Sequence, residues 1–292
     1  MEGFVWDIDP TIVKFGPFQI RYYGMLMATV LLLGYYFWQR QMTKYKYAEH
    51  YIMSFPYYAV GLAILGARLG HCFFYEPARY LSDPITILMV WKGGLASHGV
   101  TIGLLVAVTW YSYIKKIHWI VIADINAFLY AIISTLVRLG NFLNSEIVGR
   151  VTDVPWCVHF PRYWDDGKYC RHPSQLYEAS FGLLIFIMLY IVDRKLGKRR
   201  PTGLMAGLFL VTYFPCRFMV EFFKEYQTLS TKSALTMGQY LSIPFILMGF
   251  YFLWYAWKHR DVVIPEVRED PLAPKQEDAP AGTRPKKRKP RK

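Results

Sequence analysis

Residues 138–150 place two arginines, two asparagines, a glutamate and two glycines directly after an apolar run, 120–137. A charged side chain at the centre of a bilayer costs about 2.5–3.5 kcal/mol on insertion scales, so polar groups retained there are candidates for function. The glycines allow the backbone to bend, so that several polar groups can converge on one ligand. This stretch is therefore the first candidate for a site of chemistry.

Arg138 and Arg217 are the strongest candidates for binding an anion, because both lie in or at the edge of apolar runs. A guanidinium group is planar, always charged and able to bind a phosphate through two parallel hydrogen bonds. Two such groups in the same half of a bilayer predict a phospholipid headgroup site. The structural alternatives are snorkelling to the interface or an ion pair, which for Arg217 would involve Glu221, four residues on along the same helix face.

Other polar side chains would assist these arginines in two ways. Carboxylates would fix the guanidinium rotamers by ion pairing, whereas amides and hydroxyls would bond phosphate or glycerol oxygens. The candidates are Glu146 and Glu221 for the first role, and Asn141, Asn144, Tyr23 and Tyr213 for the second. Helix capping by the asparagines and an interfacial aromatic belt for the tyrosines are the alternatives. Arg68, between two glycines in another apolar run, is a second-rank candidate for binding an anion.

His98 is the candidate general base, because it opens an apolar run in the sequence Ser97-His98-Gly99. Imidazole is the usual base near neutral pH. The alternative is a structural histidine with a satisfied hydrogen bond. On the predicted topology this run begins at the same membrane face as Arg138, which favours a catalytic role as much as a structural one.

Two Cys-x-His pairs lie within one segment, Cys157-Val-His159 and Cys170-Arg-His172. These four side chains could together bind zinc, but their spacing matches no strong zinc signature. In an oxidising compartment a disulfide between the two cysteines is favoured, and free thiols are the remaining alternative. The other two cysteines, Cys72 and Cys216, lie in apolar runs and are predicted to be packing residues.

The elements that must position these groups are long apolar runs. Of 292 residues, 54% are hydrophobic and 18% aromatic, which exceeds the needs of one soluble core and predicts an all-α, polytopic membrane protein. Seven runs approach the roughly 20 residues that cross a bilayer. They lie near residues 21–39, 53–75, 95–114, 119–138, 174–193, 202–223 and 238–257. The expected organisation is an external segment (1–20), a seven-span catalytic domain (21–258) carrying a small external head loop (151–173), and a basic, disordered cytoplasmic tail (259–292).

The distribution of basic residues predicts the orientation. They are frequent after the first, third and fifth runs, whereas the alternate short loops, 76–94 and 224–237, hold two each. By the positive-inside rule the amino terminus is external, the carboxyl terminus is cytoplasmic, and residues 138–150 lie at the outer face. The basic tail favours anionic lipid headgroups. Nucleic-acid binding is disfavoured, because no folded module or aromatic interleaving accompanies the tail.

The motifs resemble those of bacterial prolipoprotein diacylglyceryl transferases over about residues 10–258. The resemblance rests on dispersed motifs in the right order, at 22–24, 66–70, 91–95, 97–99, 138–150, 171–178, 217–221 and 237–244. Several motifs in order are more specific than any one of them. One departure is Val100, where the family usually has a second glycine after the His-Gly pair.

The resemblance implies a seven-span inner-membrane enzyme that needs no metal or redox cofactor. Its substrates would be phosphatidylglycerol and the lipobox cysteine of a prolipoprotein, and its products a thioether-linked diacylglyceryl group and glycerol-1-phosphate. Arg138 and Arg217 match the family's essential arginines. Further matches to positions that the family uses, or to its signature stretch, are Tyr23, Asn141, Gly149, Tyr213, Glu221, Glu146 and Arg150. The thiol proton would pass to His98 or to another group, or the field of the arginines would itself favour the thiolate.

A second hypothesis, a lipid or anion transporter, would use the same arginines as a binding site. It predicts movement of a substrate across the membrane without a covalent product. The sequence shows no internal repeat, which counts mildly against the transporters built from inverted repeats.

Overall fold

The computed structural model describes residues 3–16, 18–89, 93–225 and 235–261, and these are mostly helical. One long helix corresponds to each predicted apolar run. The long helices are α1 (Tyr22–Lys44), α2 (Glu49–Phe74), α4 (Ser97–Lys115), α5 (Trp119–Leu143), α6 (Ser174–Leu196), α7 (Leu204–Val220) and α8 (Met237–Lys258), and a short α3 (Pro77–Ser82) follows α2. Helices α2, α5, α6, α7 and α8 are long and apolar enough to cross a membrane, while α4 contains a shorter apolar helix. The chain is therefore a helical, multi-pass membrane protein.

Helix α5 lies at the centre of the bundle and packs against α1, α6 and α7. It is the most deeply buried of the five candidate spans. Its core-facing side includes Ala127, Phe128 and Ala131, which form one hydrophobic cluster with residues of α6, α7 and α8. The polar side chains of Asp124 and Asn141, which lie near the two ends of α5, are buried.

Small residues bring α2 and α4 into backbone contact. Gly66 and Gly70 of α2 face Gly99 of α4, and Gly66 also faces Gly103. A Cβ atom at Gly70 would lie 3.0 Å from the Cα atom of Gly99, so a side chain there would force the helices apart. The Gly-x-x-x-Gly pairs of these helices therefore serve close helix packing.

Residues 144–173, here called the head segment, connect α5 to α6 largely without helix. The predicted disulfide between Cys157 and Cys170 is present, so the zinc and free-thiol alternatives are wrong. The strand β4 (Val158–His159) pairs in parallel with β1 (Phe4–Val5) from the amino-terminal segment. The remaining strands, β2 (Thr11–Phe15) and β3 (Phe18–Arg21), form an antiparallel hairpin that leads into α1.

A buried charged cluster lies near the other end of α5. Arg200 approaches Asp193 at 2.6 Å and Asp124 at 3.4 Å, and Asp193 also binds Lys44 at 2.7 Å. Arg200, one of the basic residues that follow the fifth apolar run, is 0% exposed. Burial is tolerated because two carboxylates share the guanidinium charge. Asp124 and Arg138 are 14 residues apart, so a helix with a rise of about 1.5 Å per residue separates this cluster from Arg138 by roughly 21 Å.

The tail prediction lies almost wholly outside the described residues, which end at 261.

Candidate active site

Arg138 and Arg217 converge on one buried carboxylate, that of Glu178. Arg138 Nε lies 2.9 Å from Glu178 Oε2, and Arg217 Nη1 lies 3.3 Å from the same oxygen. Arg138 is in the last two turns of α5, Arg217 is in the last turn of α7, and Glu178 is in the second turn of α6. Helix α6 packs against both α5 and α7, so Glu178 lies between the two arginines.

Lys224 brings a third cation to the same carboxylate. Its Nζ atom lies 3.3 Å from Glu178 Oε1 and 3.3 Å from Glu221 Oε2. The lysine is buried. Glu221 in turn packs against the first turn of α8, where a Cβ atom at Gly238 would lie 2.6 Å from its carboxylate carbon. The glycine therefore gives the carboxylate the room to approach α8.

Glu178 and Lys224 are not among the site residues that the sequence predicts. Glu178 belongs to the motif at 171–178, but a single glutamate in an apolar helix gave no indication of its partners. Lys224 lies three residues after Glu221, just beyond an apolar helix. The sequence indicates only that it is one of the two basic residues of the loop 224–237. The indication of a role for Lys224 is its position, because this basic residue closely follows an apolar segment that contains an arginine and a glutamate.

The five charges that pair directly with one another in this cluster sum to a positive value. Three cations, Arg138, Arg217 and Lys224, face two carboxylates, Glu178 and Glu221, which leaves a net charge of +1. The arginines are partly accessible, since 12% of the Arg138 side chain and 23% of the Arg217 side chain are exposed. A positive group of this kind in a low-dielectric surrounding attracts a monovalent anion.

A hydrogen-bonded chain leads from Arg138 to the surface. Arg138 Nη1 donates to Asn141 Oδ1 at 3.3 Å, and Asn141 Nδ2 donates to Glu146 Oε2 at 3.5 Å. Asn144, the C-cap residue that follows α5, donates to Glu146 Oε1 at 3.2 Å. Glu146 is exposed, unlike Glu178. The amides are therefore oriented by Glu146, whereas the carboxylate bound directly to Arg138 is Glu178.

The turn after α5 contains strained backbone. Ser145 and Ile147 have φ values of 56° and 57°, and this left-handed conformation is a genuine outlier for a β-branched residue. Strain of this kind costs of order 1–3 kcal/mol per residue and persists where neighbouring structure imposes it. Here the start of α6 does so, because Ser174 Oγ donates to the Ile147 carbonyl at 3.2 Å and Gln175 Nε2 to the Glu146 carbonyl at 2.8 Å.

Gly149 and Arg150 connect this turn to two other segments, the end of the head segment and the residues after α7. The Gly149 amide donates to the His172 carbonyl at 2.9 Å. A Cβ atom at Gly149 would lie 2.5 Å from that carbonyl oxygen and 2.7 Å from the Phe223 carbonyl oxygen, so only glycine fits. Arg150 Nε donates to the Lys224 carbonyl at 2.8 Å. Gly149 thus allows a close approach to the Phe223 carbonyl, and Arg150 binds the next residue, Lys224, through its carbonyl.

Two tyrosines flank the arginines. Tyr23 of α1 lies against Gly140, where a Cβ atom would be 2.6 Å from the tyrosine ring, and it interacts electrostatically with Arg138 and Glu146. Tyr213 of α7 interacts with Arg217. Both tyrosines are partly exposed. The two tyrosines therefore lie beside the arginines, Tyr23 near Arg138 and Tyr213 near Arg217.

His172 lies on the head-segment side of the site. Its Nδ1 atom is 3.1 Å from the Tyr177 hydroxyl, and its ring packs edge-on against Phe223 at 5.2 Å. Burial lowers the pKa of His172, because the charged imidazolium loses solvation there.

The remaining two sequence candidates differ in what the structure describes. The backbone of His98 lies in the first turn of α4, but its side chain is outside the described part of the chain. Arg68 directs its guanidinium to carbonyl oxygens of the loop before α4, including those of Ile87 at 2.8 Å and Gly94 at 3.1 Å. It thereby positions the loop that precedes His98.

The fold and the site define a class: multi-pass helical membrane proteins with a partly open, net-positive cluster at one end of the bundle. A sequence model of the family described as prolipoprotein diacylglyceryl transferase matches residues 10–255. The chain belongs to this family.

Three relatives illustrate the similarity, and each is named phosphatidylglycerol–prolipoprotein diacylglyceryl transferase. The protein of Tolumonas auensis is 39% identical over 262 residues, which cover 87% of this chain and 98% of that protein. The Chloroherpeton thalassium protein is 39% identical over 257 residues, covering 87% and 94%. The Bacteroides fragilis protein is 36% identical over 270 residues, covering 88% and 96%.

Proposed function

We propose that this protein transfers the diacylglyceryl group of phosphatidylglycerol to the thiol of a prolipoprotein lipobox cysteine. The sulfur–carbon bond of a thioether forms, the bond between the glycerol carbon and the phosphate oxygen breaks, and glycerol-1-phosphate leaves. The observation that carries the proposal is the convergence of Arg138 and Arg217 on Glu178 in a chain of this family. The names of the relatives supply the two substrates.

The phosphodiester of phosphatidylglycerol is the anion that this cluster is suited to hold. It carries one negative charge, which balances the net charge of +1 counted from the three cations and two carboxylates. Arg138 and Arg217 would each present guanidinium donors to the phosphate oxygens. Asn141, Asn144, Tyr23 and Tyr213 would bond the remaining phosphate and glycerol oxygens.

The same charges would accelerate the reaction. The phosphate group carries one negative charge in the substrate and a second one when the carbon–oxygen bond breaks. Fixed cations therefore stabilise the transition state more than the ground state, which lowers the barrier. Glu178 holds the arginines in place before the substrate arrives, so little reorganisation is needed.

The thiol proton must be removed, because a free cysteine with a pKa near 8.5 is mostly protonated at neutral pH. His98 is the proposed base, on the strength of its chemistry and its position at the start of α4. Stabilisation of the thiolate by the field of Arg138 and Arg217 is the competing explanation. A pH profile of the His98→Ala variant separates them.

The proposed setting is the bacterial inner membrane with seven spans. In that topology α1 and α4 cross the bilayer with the five candidate spans, and the site and head segment lie at the outer face. The amino terminus is outside and the basic tail contacts lipids on the cytoplasmic side. The proposed partners are phosphatidylglycerol, the prolipoprotein and membrane lipids, without nucleic acid and without a metal or redox cofactor.

A single assay tests the function. The protein is incubated in phosphatidylglycerol vesicles with a peptide containing a lipobox cysteine, and the peptide mass is measured. We expect an increase equal to one diacylglyceryl group, with release of glycerol-1-phosphate. Phospholipid movement between leaflets with an unchanged peptide mass would support the transporter hypothesis instead.

A further inference from the structure

The hairpin formed by β2 and β3 has two chemically different faces. Phe15 pairs with Phe18, and Val13 pairs with Ile20. Because side chains alternate along a strand, these four apolar residues share one face, here called the apolar face.

The opposite face of the hairpin is polar. Lys14 pairs with Gln19, so both project from this side. Arg21 joins them, since its Nη2 atom donates to Gln19 Oε1 at 3.1 Å. The hairpin is therefore amphipathic, with two basic residues on its polar face.

The apolar face is not covered by the described part of the chain. Phe15 is 65% exposed and Phe18 is 76% exposed, and Val13 and Ile20 are exposed as well. A two-stranded hairpin is marginally stable in water by itself. The four large apolar side chains on one of its faces therefore indicate that an apolar partner covers this face.

The hairpin continues directly into an apolar helix surface. Strand β3 ends at Arg21 and α1 begins at Tyr22, and the Tyr22 amide donates to the Pro10 carbonyl at 3.1 Å, which closes the base of the hairpin. Exposed apolar residues continue along α1, including Met25, Leu31 and Leu32. The apolar face and the outer surface of α1 are thus continuous in the chain.

The hairpin also lies at the end of the bundle that carries the candidate site. Tyr23, in the first turn of α1, packs against Gly140 of α5, two residues beyond Arg138. The hairpin therefore lies at the end of α5 that carries Arg138.

We propose that this hairpin lies in the lipid interface beside the site, with Phe15 and Phe18 inserted among acyl chains and Lys14 and Arg21 directed to anionic phosphates. Aromatic side chains and basic groups are the residue types that anchor segments at this depth. The partner is a lipid surface because two basic residues lie on the face opposite the apolar one, and anionic headgroups lie directly above the acyl chains. The inference depends on membrane embedding and not on the transfer reaction.

Nitroxide accessibility tests the position of the hairpin. The full chain, with Cys72 and Cys216 replaced by alanine, is placed in nanodiscs containing phosphatidylglycerol. Labels are attached separately through Phe15→Cys, Phe18→Cys and Gln19→Cys, so that a failure of one variant to fold leaves the others informative. The collision rates of each label with oxygen and with a neutral nickel chelate are then compared.

We expect the labels at positions 15 and 18 to collide at least several times more often with oxygen than with the nickel chelate. The matched label at position 19, on the opposite face of the same strand, should show the reverse preference. Equal nickel accessibility at positions 18 and 19 would place the hairpin in water and overturn the proposal. Protection of position 18 from both reagents would also overturn it, because a protein surface would then cover the apolar face.

Discussion

Arg138 and Arg217, which lie on different helices, are bound to the same carboxylate oxygen, Oε2 of Glu178. Two like charges are held together only because this carboxylate lies between them and is itself buried. Lys224 occupies the other oxygen, Oε1. The cluster is thus built around an anion of the protein and retains a net positive charge, which in the proposed function binds an anion of the substrate.

Loss of Arg138 should remove most of the activity. For Arg138→Ala we expect transfer to fall by at least about 100-fold, the usual effect of losing one preorganised donor to a developing charge. Arg138→Lys should recover only part of it, because an ammonium lacks the bidentate geometry. The assay is the mass change of a lipobox peptide in phosphatidylglycerol vesicles. Arg162→Ala, which breaks a more exposed pair with Asp7, is the control and should leave the rate unchanged. Full activity of the Arg138→Ala variant would contradict the proposed role of Arg138 in phosphate binding.

Glu178→Gln should destabilise the protein as well as inactivate it. The change preserves the shape of the side chain but leaves Arg138, Arg217 and Lys224 without their shared carboxylate. Removing one partner of a buried ion pair costs about 3–5 kcal/mol. Thermal unfolding in detergent should show a clear decrease in midpoint. The matched variant is Glu146→Gln, an exposed glutamate, for which we expect little change in stability; equal losses in the two variants would contradict the central role of Glu178.

Gly149→Ala should disrupt the site through the backbone. The added methyl would lie 2.5 Å from the His172 carbonyl oxygen and 2.7 Å from the Phe223 carbonyl oxygen, so the turn must move away from the backbone that precedes Lys224. We expect transfer to fall by at least about 10-fold, since a displacement of about 1 Å can cost far more. Gly61→Ala is the control, because nothing lies within 4 Å of its added Cβ atom and alanine favours a helix by roughly 1 kcal/mol. Similar activities of the two variants would remove the steric argument.

His98→Ala tests the identity of the base. If the imidazole takes the thiol proton, transfer should decrease markedly and its pH optimum should rise, because more of the thiol must then ionise unaided. The measurement is initial rate against pH for both proteins. A lower rate with an unchanged pH profile would assign the proton to another group or to the field of the arginines.

His172 should make the protein less stable in mild acid. Its pKa is lowered by burial, so below the ordinary value of about 6.5 the unfolded state binds more protons than the folded state. Stability is therefore fully present above about pH 6.5 and falls as the pH decreases toward the folded-state pKa. We expect the unfolding midpoint of the wild type to drop between pH 7.5 and pH 5.5 more than that of His172→Gln. Parallel decreases in both proteins would assign the acid sensitivity to other groups.

The sequence was sufficient to predict the helices, because each long helix needs an apolar run of bilayer length and such runs are visible in a single chain. It also indicated Arg138 and Arg217 as candidate site residues, because a charge in such a run costs free energy of insertion and is therefore a candidate for function. The pairing of Cys157 with Cys170 was predicted from two cysteines in one short segment. Each of these inferences depends on local composition alone.

Only the tertiary structure decided which charges are partners. Local spacing pointed Arg217 toward Glu221 on its own helix, but the bundle places Glu178 of α6 at 3.3 Å. The bundle likewise buries Arg200 between Asp193 and Asp124, partners that lie 7 and 76 residues away along the chain. The physical reason is that ion pairs form through space between side chains on different helices, and their geometry depends on how those helices pack. A single sequence reports the cost of each buried charge but not the neighbour that compensates for it.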